Sequence, residues 1–345
     1  MSAPTVAIAV REARRGPARR RRLVVGGLAA ALLGVVAVRV LLGDYTFTVP
    51  DAVRIVLGAE IPGASFILME SKLPRAVLGV LVGSAFGVAG AIFQTTLRNP
   101  LASPDVIGVS LGASAAAVLA IVVLGQTGTA VSVAAILGAV GIAGLVRAVA
   151  GPAAGGGYRL VLVGVAVAAA LGSVVQYLFT RADEWDAHLV LRWLTGSVGA
   201  ADWPTIRLLA IFWVALLPLL VWTARSLRVT EFGDDVATGL GVSRRRSDAL
   251  LLLAVVLTAV AVAAAGPVSF VAFLAGPTAR ALNRGRTTLA GAGLAGAILV
   301  VAADHVAAYL VPDVNLPVGV VTGAFGAPFL LWLLVRGQAG PTARR

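Results

Sequence analysis

Stretches of about twenty residues with few or no charges recur from one end of this chain to the other, and nine of them are long enough to cross a bilayer as a helix. They fall at roughly 23–42, 76–97, 107–125, 130–149, 160–179, 208–224, 249–266, 288–310 and 317–335, with a shorter tenth at 267–281. A soluble domain has no use for so many uncharged runs. The 59% hydrophobic and 13% charged composition and the mean hydropathy of +0.95 agree with that exclusion. In lipid, backbone polar groups must be satisfied within the segment, so the pattern predicts an all-α polytopic protein of about ten transmembrane helices.

Charge orients the bundle. The chain carries 27 Arg and one Lys, and seven of the arginines lie between Arg11 and Arg22. With ten crossings and a cytosolic N-terminus, 21 of the 28 basic residues fall in cytosolic segments, so the positive-inside rule puts both termini in the cytosol. The run after Arg22 reaches Leu42, broken only by Arg39, which is too long for a secretory h-region, and no small-residue cleavage site precedes Asp44. The domain reading is therefore a basic cytosolic tail over 1–22, a membrane domain over 23–336 and a cytosolic tail over 337–345. The longest outer connection spans 43–75. The longest inner one spans 225–248 and has room for one or two short helices.

Several chemistries are excluded. There is no cysteine, hence no disulfide, thiolate site or cysteine nucleophile. His188 and His305 have no ligand-like spacing, so no metal site is expected. No GxxxxGK[ST] loop occurs, so this chain has no nucleotide site. The net charge of +12 sits between apolar runs without interleaved aromatics, which argues against nucleic acid.

Polar interruptions and glycines then stand out. LRNPLASPDVIGVS, from Leu97 to Ser110, joins two apolar runs. Pro100 and Pro104 restrict its backbone, while Asn99 and Asp105 are suited to capping local turns or the next helix. Gly83, Gly87 and Gly90 recur at spacings that permit close helix crossing, as do Gly291, Gly293 and Gly296. Gln94 and Asp304 are polar groups within apolar segments, suited either to a path or to packing. An intramembrane acid needs a partner or water. Asp304 could seed a proton-coupled secondary transporter, but no wider network of intramembrane acids and bases accompanies it.

The run KLPRAVLGVLVGSAFGVAGAIFQTTLRNPLASPDVIGVSLGAS, from Lys72 to Ser114, resembles the permeases of bacterial ABC importers for iron-siderophores, haem and vitamin B12. Further similarities follow in order: RWLTGSV, FGDDVATGLGV at Phe232–Val242, AGPVSFVAFLAGPTARAL at Ala265–Leu282, Asp304, and NLPVGVVTGAFGAPFLLWLL at Asn315–Leu334. One departure is Gly276-Pro277-Thr278, where such permeases commonly have Pro-His or Pro-Gln before Ala-Arg. The resemblance implies a vitamin B12-importer-like permease bundle in the bacterial cytoplasmic membrane, paired with an identical or homologous permease. It implies a dimeric ATPase that binds ATP and Mg, and an extracytoplasmic substrate-binding protein that delivers an iron chelate. It further implies ATPase coupling through a region of about 228–243, with Glu231, Asp234, Asp235 and Gly241, and binding-protein docking through Lys72 and Arg75. An iron(III)-siderophore is the expected substrate, with haem or vitamin B12 as the alternative.

Overall fold

The computed structural model describes residues 3–151, 158–309 and 314–338. Among these residues every element is helical. In chain order they are α1 (Ala3–Leu41), α2 (Val49–Val56), α3 (Ala64–Phe66), a π-helical turn (Ile67–Lys72), α4 (Leu73–Thr96), α5 (Val109–Val122), α6 (Thr129–Ala150) and α7 (Tyr158–Phe179). There follow α8 (Glu184–Thr195), α9 (Trp203–Thr230), α10 (Asp234–Gly239), α11 (Arg244–Ala265), α12 (Val271–Leu282), α13 (Leu289–Tyr309) and α14 (Val318–Gln338). All ten expected apolar segments are helices. Seven are long and apolar enough to cross a membrane, and three are shorter: α5, α12 and the apolar part of α14.

The short helices have local causes. Gly108 sits in the left-handed region at φ 83 and starts α5 two residues later than its apolar run suggests, leaving 14 residues, or about 21 Å of rise. Gly266 at φ 70 ends α11, and Phe270, a non-glycine residue at φ 65, opens the 12-residue α12. Elsewhere helices outrun the expected spans. The basic tail over 1–22 joins, from Ala3 onward, the 39-residue α1, helped by Ala and Arg residues, which favour helix. Likewise α9 continues to Thr230, which narrows the 225–248 connection. The 43–75 connection is largely helical as well: α3, the π turn and α4 run unbroken as one 33-residue helix.

At the centre stands α4, packed against α11, α12 and α13. Glycine makes this packing close. A methyl group at Gly83 would fall on the carbonyl of Gly296, one at Gly87 on that of Ala292, and one at Gly90 on that of Ala272. In lipid, where apolar burial gives little driving force, such backbone approach supplies the van der Waals contact that holds helices together. Around this core α1, α6, α7 and α9 expose most of their apolar side chains, as a lipid-facing ring does. Indole groups tie the layers: Trp203 donates to the Met69 carbonyl at 2.8 Å and Trp213 to that of Leu81 at 3.1 Å.

Candidate functional site

At the bundle end where α4 begins, three helices meet on one carboxylate. Asp304 of α13, 2% exposed, accepts from Arg39 of α1 at 2.6 Å and from Arg75 of α4 at 2.8–3.0 Å. Arg75 also donates to Asn315 at 3.1 Å. A charge at this depth persists only when paired, and two guanidinium groups satisfy both oxygens. Asp304 therefore ties α1, α4 and α13 together. Lys72, expected with Arg75 at a docking face, is buried. Its ammonium donates to the carbonyls of Leu42 and Tyr45 at 2.8 and 2.5 Å and lies 5.3 Å from the Phe47 ring. The π-helical turn Ile67–Lys72 shifts the helical register just before α4, and Lys72 is tied to the 42–47 segment. His305 leans on Tyr309 at 5.0 Å, and its Nδ1 has no hydrogen-bond partner. His188 is exposed on α8.

Gln94 is a second junction. Pro277 has no N–H, so the helix leaves the Phe273 carbonyl without its usual donor. The Gln94 amide donates to that carbonyl at 2.9 Å while its oxygen accepts from Arg280 at 2.8 Å. The side chain fills the space a Cβ at Gly276 would need. The Gly276-Pro277 departure thus faces Gln94 directly, and Thr278 bonds back to the Leu274 carbonyl of its own helix at 2.8 Å.

A cavity of about 880 Å³ lies between the 97–108 connection, the start of α5 and the break before α12. Asn99, Ser103, Asp105, Ser110, Ser114 and Ser269 supply its polar groups, and apolar residues of α7, α8 and α14 complete the wall. Asn99 closes a turn by accepting from Leu101 N–H at 2.9 Å. Of the two roles expected for Asp105, in a local turn or at the next helix, its side chain does not cap α5. Its carboxylate accepts from the Ser110 hydroxyl, and Gly108 occupies the cap position. Enclosure raises the Asp105 pKa from its ordinary value, and the Ser110 bond offsets part of that rise. Pro100 is exposed and Pro104 buried along the same turn. Ser110 and Ser114 escaped the sequence reading. Their i,i+4 spacing, one face of a helix, is the signal that could have found them.

At the other end, α10 stands between α9 and α11. Glu231 caps α9, Gly233 at φ 101 precedes α10, and Gly241 at φ 83 follows it. Asp234 and Asp235 open α10, and their side chains lie outside the described residues. The signal missed here is apolar: Phe232, Val236 and Leu240, at i,i+4,i+8 spacing, are 71%, 49% and 65% exposed. Ala237 and Val242 face inward. A Cβ at Gly233 would lie 3.0 Å from the Arg98 guanidinium, so the 97–99 turn abuts the start of α10.

Residues 30–336 match the FecCD transport family. The chain is 39% identical over 274 residues to the Fe(3+) dicitrate transport system permease protein FecD of Escherichia coli strain K12, covering 79% of this chain and 86% of that protein. It is 36% identical over 296 residues to the ferric enterobactin transport system permease protein FepG of the same strain, covering 85% and 90%. In fold it is similar to a solved transporter described as of the metal-chelate ABC type in an inward-facing conformation, with a TM-score of 0.81 at 24% identity over 91% of this chain and 99% of that one. With its apolar helices in order and these matches over most of its length, the chain belongs to the FecCD transport family.

Proposed function

We propose that this chain is the membrane permease subunit of a binding-protein-dependent ABC importer and passes an iron(III)-siderophore across the bacterial cytoplasmic membrane. The observation that carries the reading is the family match over 30–336, which takes in nearly every helix described above. The relatives named for ferric citrate and ferric enterobactin favour a siderophore over haem or vitamin B12. A cavity of about 880 Å³ with mostly apolar walls and scattered hydroxyl and amide groups suits a bulky chelate held without metal ligation by the protein.

The work divides between this chain and its partners. A second permease, identical or homologous, completes the path. A dimeric ATPase, which binds ATP and Mg, seats on α10, where Phe232, Val236 and Leu240 offer an apolar row beside Glu231, Asp234 and Asp235. Gly241 lets the chain turn back into α11. ATP binding and hydrolysis shift the permease between outward-open and inward-open arrangements through differential contacts at that helix. At the opposite, extracytoplasmic end, Arg75 stays partly accessible and meets acidic groups of a substrate-binding protein, while buried Lys72 shapes the 42–47 segment beside it. Proton coupling through Asp304 is disfavoured because two arginines hold that carboxylate.

The test is uptake by the chain reconstituted with its ATPase and binding protein, offered radio-iron as citrate, catecholate and hydroxamate chelates, and separately haem and cobalamin. ATP-dependent accumulation of one ferric chelate class is expected, surviving collapse of the proton gradient. Uptake of haem or cobalamin alone overturns the substrate, and uptake that needs the gradient but no ATP overturns the mechanism. Gly241→Val and Leu240→Asp should reduce substrate-stimulated ATP hydrolysis while leaving binding-protein docking intact.

A further inference from the structure

We propose that the end of the bundle carrying α10 holds a specific site for the phosphate headgroup of an anionic phospholipid, built from the basic part of α1 and the turn between α12 and α13. A concavity of about 450 Å³ there is lined by Arg19, Arg20, Arg284 and Arg286 together with Leu23 and Asn283. No carboxylate lines it, and the three ion pairs among the described residues involve none of these arginines. Four guanidinium groups facing one space repel one another. An anion between them turns that repulsion into charge-assisted hydrogen bonding, for which the planar guanidinium fork fits phosphate oxygens.

The pocket is a constructed feature. Arg20 is held across it by donating to the Leu282 carbonyl at 2.7 Å, and its Nε is buried without a partner. The opposite wall is a tight turn. Arg284 adopts φ 53, costly for a side chain with a Cβ, and Gly285 follows at φ 78. The Gly285 N–H donates to the Arg280 carbonyl at 2.8 Å, and buried Asn283 donates to the Arg286 carbonyl at 3.0 Å. These bonds fix the turn from which Arg284 and Arg286 extend.

The surroundings select lipid over free phosphate. Leu23, 65% exposed, lines the pocket, and the apolar face of α1 continues from it with little covered by protein. A diacyl phospholipid can seat its phosphate among the arginines and lay its chains along that face. Basic pockets between helices at a membrane boundary recognise anionic headgroups in this way.

Native mass spectrometry of the full chain, delipidated in detergent and titrated with dioleoyl-phosphatidylglycerol, dioleoyl-phosphatidylcholine or inorganic phosphate, tests it. Phosphatidylglycerol should bind at least about tenfold tighter than phosphatidylcholine, weakening with added salt. The double variant Arg284→Gln/Arg286→Gln should lose most of that preference, at about fivefold per arginine. The matching Arg→Lys pair, which keeps the charge, should retain much of it and shows whether the turn still folds. Arg181→Gln, which removes a cation stacked on Tyr177 away from this pocket, should change nothing. Equal binding of the two lipids, or an unchanged preference in a monodisperse Gln variant, overturns the site. Full competition by inorganic phosphate at equal concentration overturns the lipid and leaves a free-anion pocket.

Discussion

Asp304 accepts from Arg39 Nε at 2.6 Å across 265 residues of sequence, and the same carboxylate binds Arg75, so α1, α4 and α13 share one buried anion. Removing the carboxylate strands two guanidinium groups in a poorly hydrated place. Asp304→Asn is expected to lower stability by about 3 kcal/mol, the scale for breaking one side of a buried ion pair. Adding Arg39→Gln to Asp304→Asn should cost less than the sum of the two single changes. Thermal unfolding of the purified chain in detergent measures both, and simple additivity would refute a shared junction.

The approach of α4 to α12 at Gly90 gives a second test. Gly90→Val should cost about 3 kcal/mol, at the upper end of overpacking, because backbone blocks the side chain. Gly141→Ala, on an exposed helical face with nothing within 4 Å, should be neutral or up to about 1 kcal/mol stabilising. Equal effects at the two positions would mean that the glycines serve no close crossing.

Asp105 provides a pH dependence. Its pKa is raised in the folded protein, so the native state holds a proton that the unfolded chain releases. The associated stability is present below the unfolded value, about 3.9, and is lost as pH rises through the folded one. Asp105→Asn keeps an acceptor for Ser110 and does not titrate. The variant should therefore gain stability relative to wild type as pH rises from 4, until the difference levels off above the folded pKa. Unfolding midpoints compared across that range check this, and a variant that loses stability relative to wild type as pH rises would reverse the assigned direction.

Sidedness can be read with single cysteines, since the chain has none of its own. Glu60→Cys, exposed before α3, should label with an impermeant maleimide in intact cells, and Gly239→Cys at the end of α10 only after permeabilisation. The opposite pattern would invert the orientation drawn from arginine distribution.

The sequence by itself carried the helical class and the order of ten apolar segments, because hydrophobic run length answers directly to bilayer thickness and needs no knowledge of neighbours. It also marked the close-packing face at Gly83, Gly87 and Gly90, since i,i+3 and i,i+4 spacing is local geometry, and it singled out the 97–110 interruption through its prolines. Partnerships between distant residues were beyond it. Arg39 read as a blemish near the end of the first span, and only the folding of α1 against α13 makes it the counterion of Asp304. Lys72 stood out only as a charge beside the second span, and its burial against the Leu42 and Tyr45 carbonyls comes from the fold. Gln94 gained its role from Pro277, which frees a carbonyl on a helix 179 residues away along the chain. Periodicity specifies which face of a helix is apolar, but the packing of all helices together decides which buried polar group meets which, because each such group must find its partner among whatever the tertiary fold brings within reach.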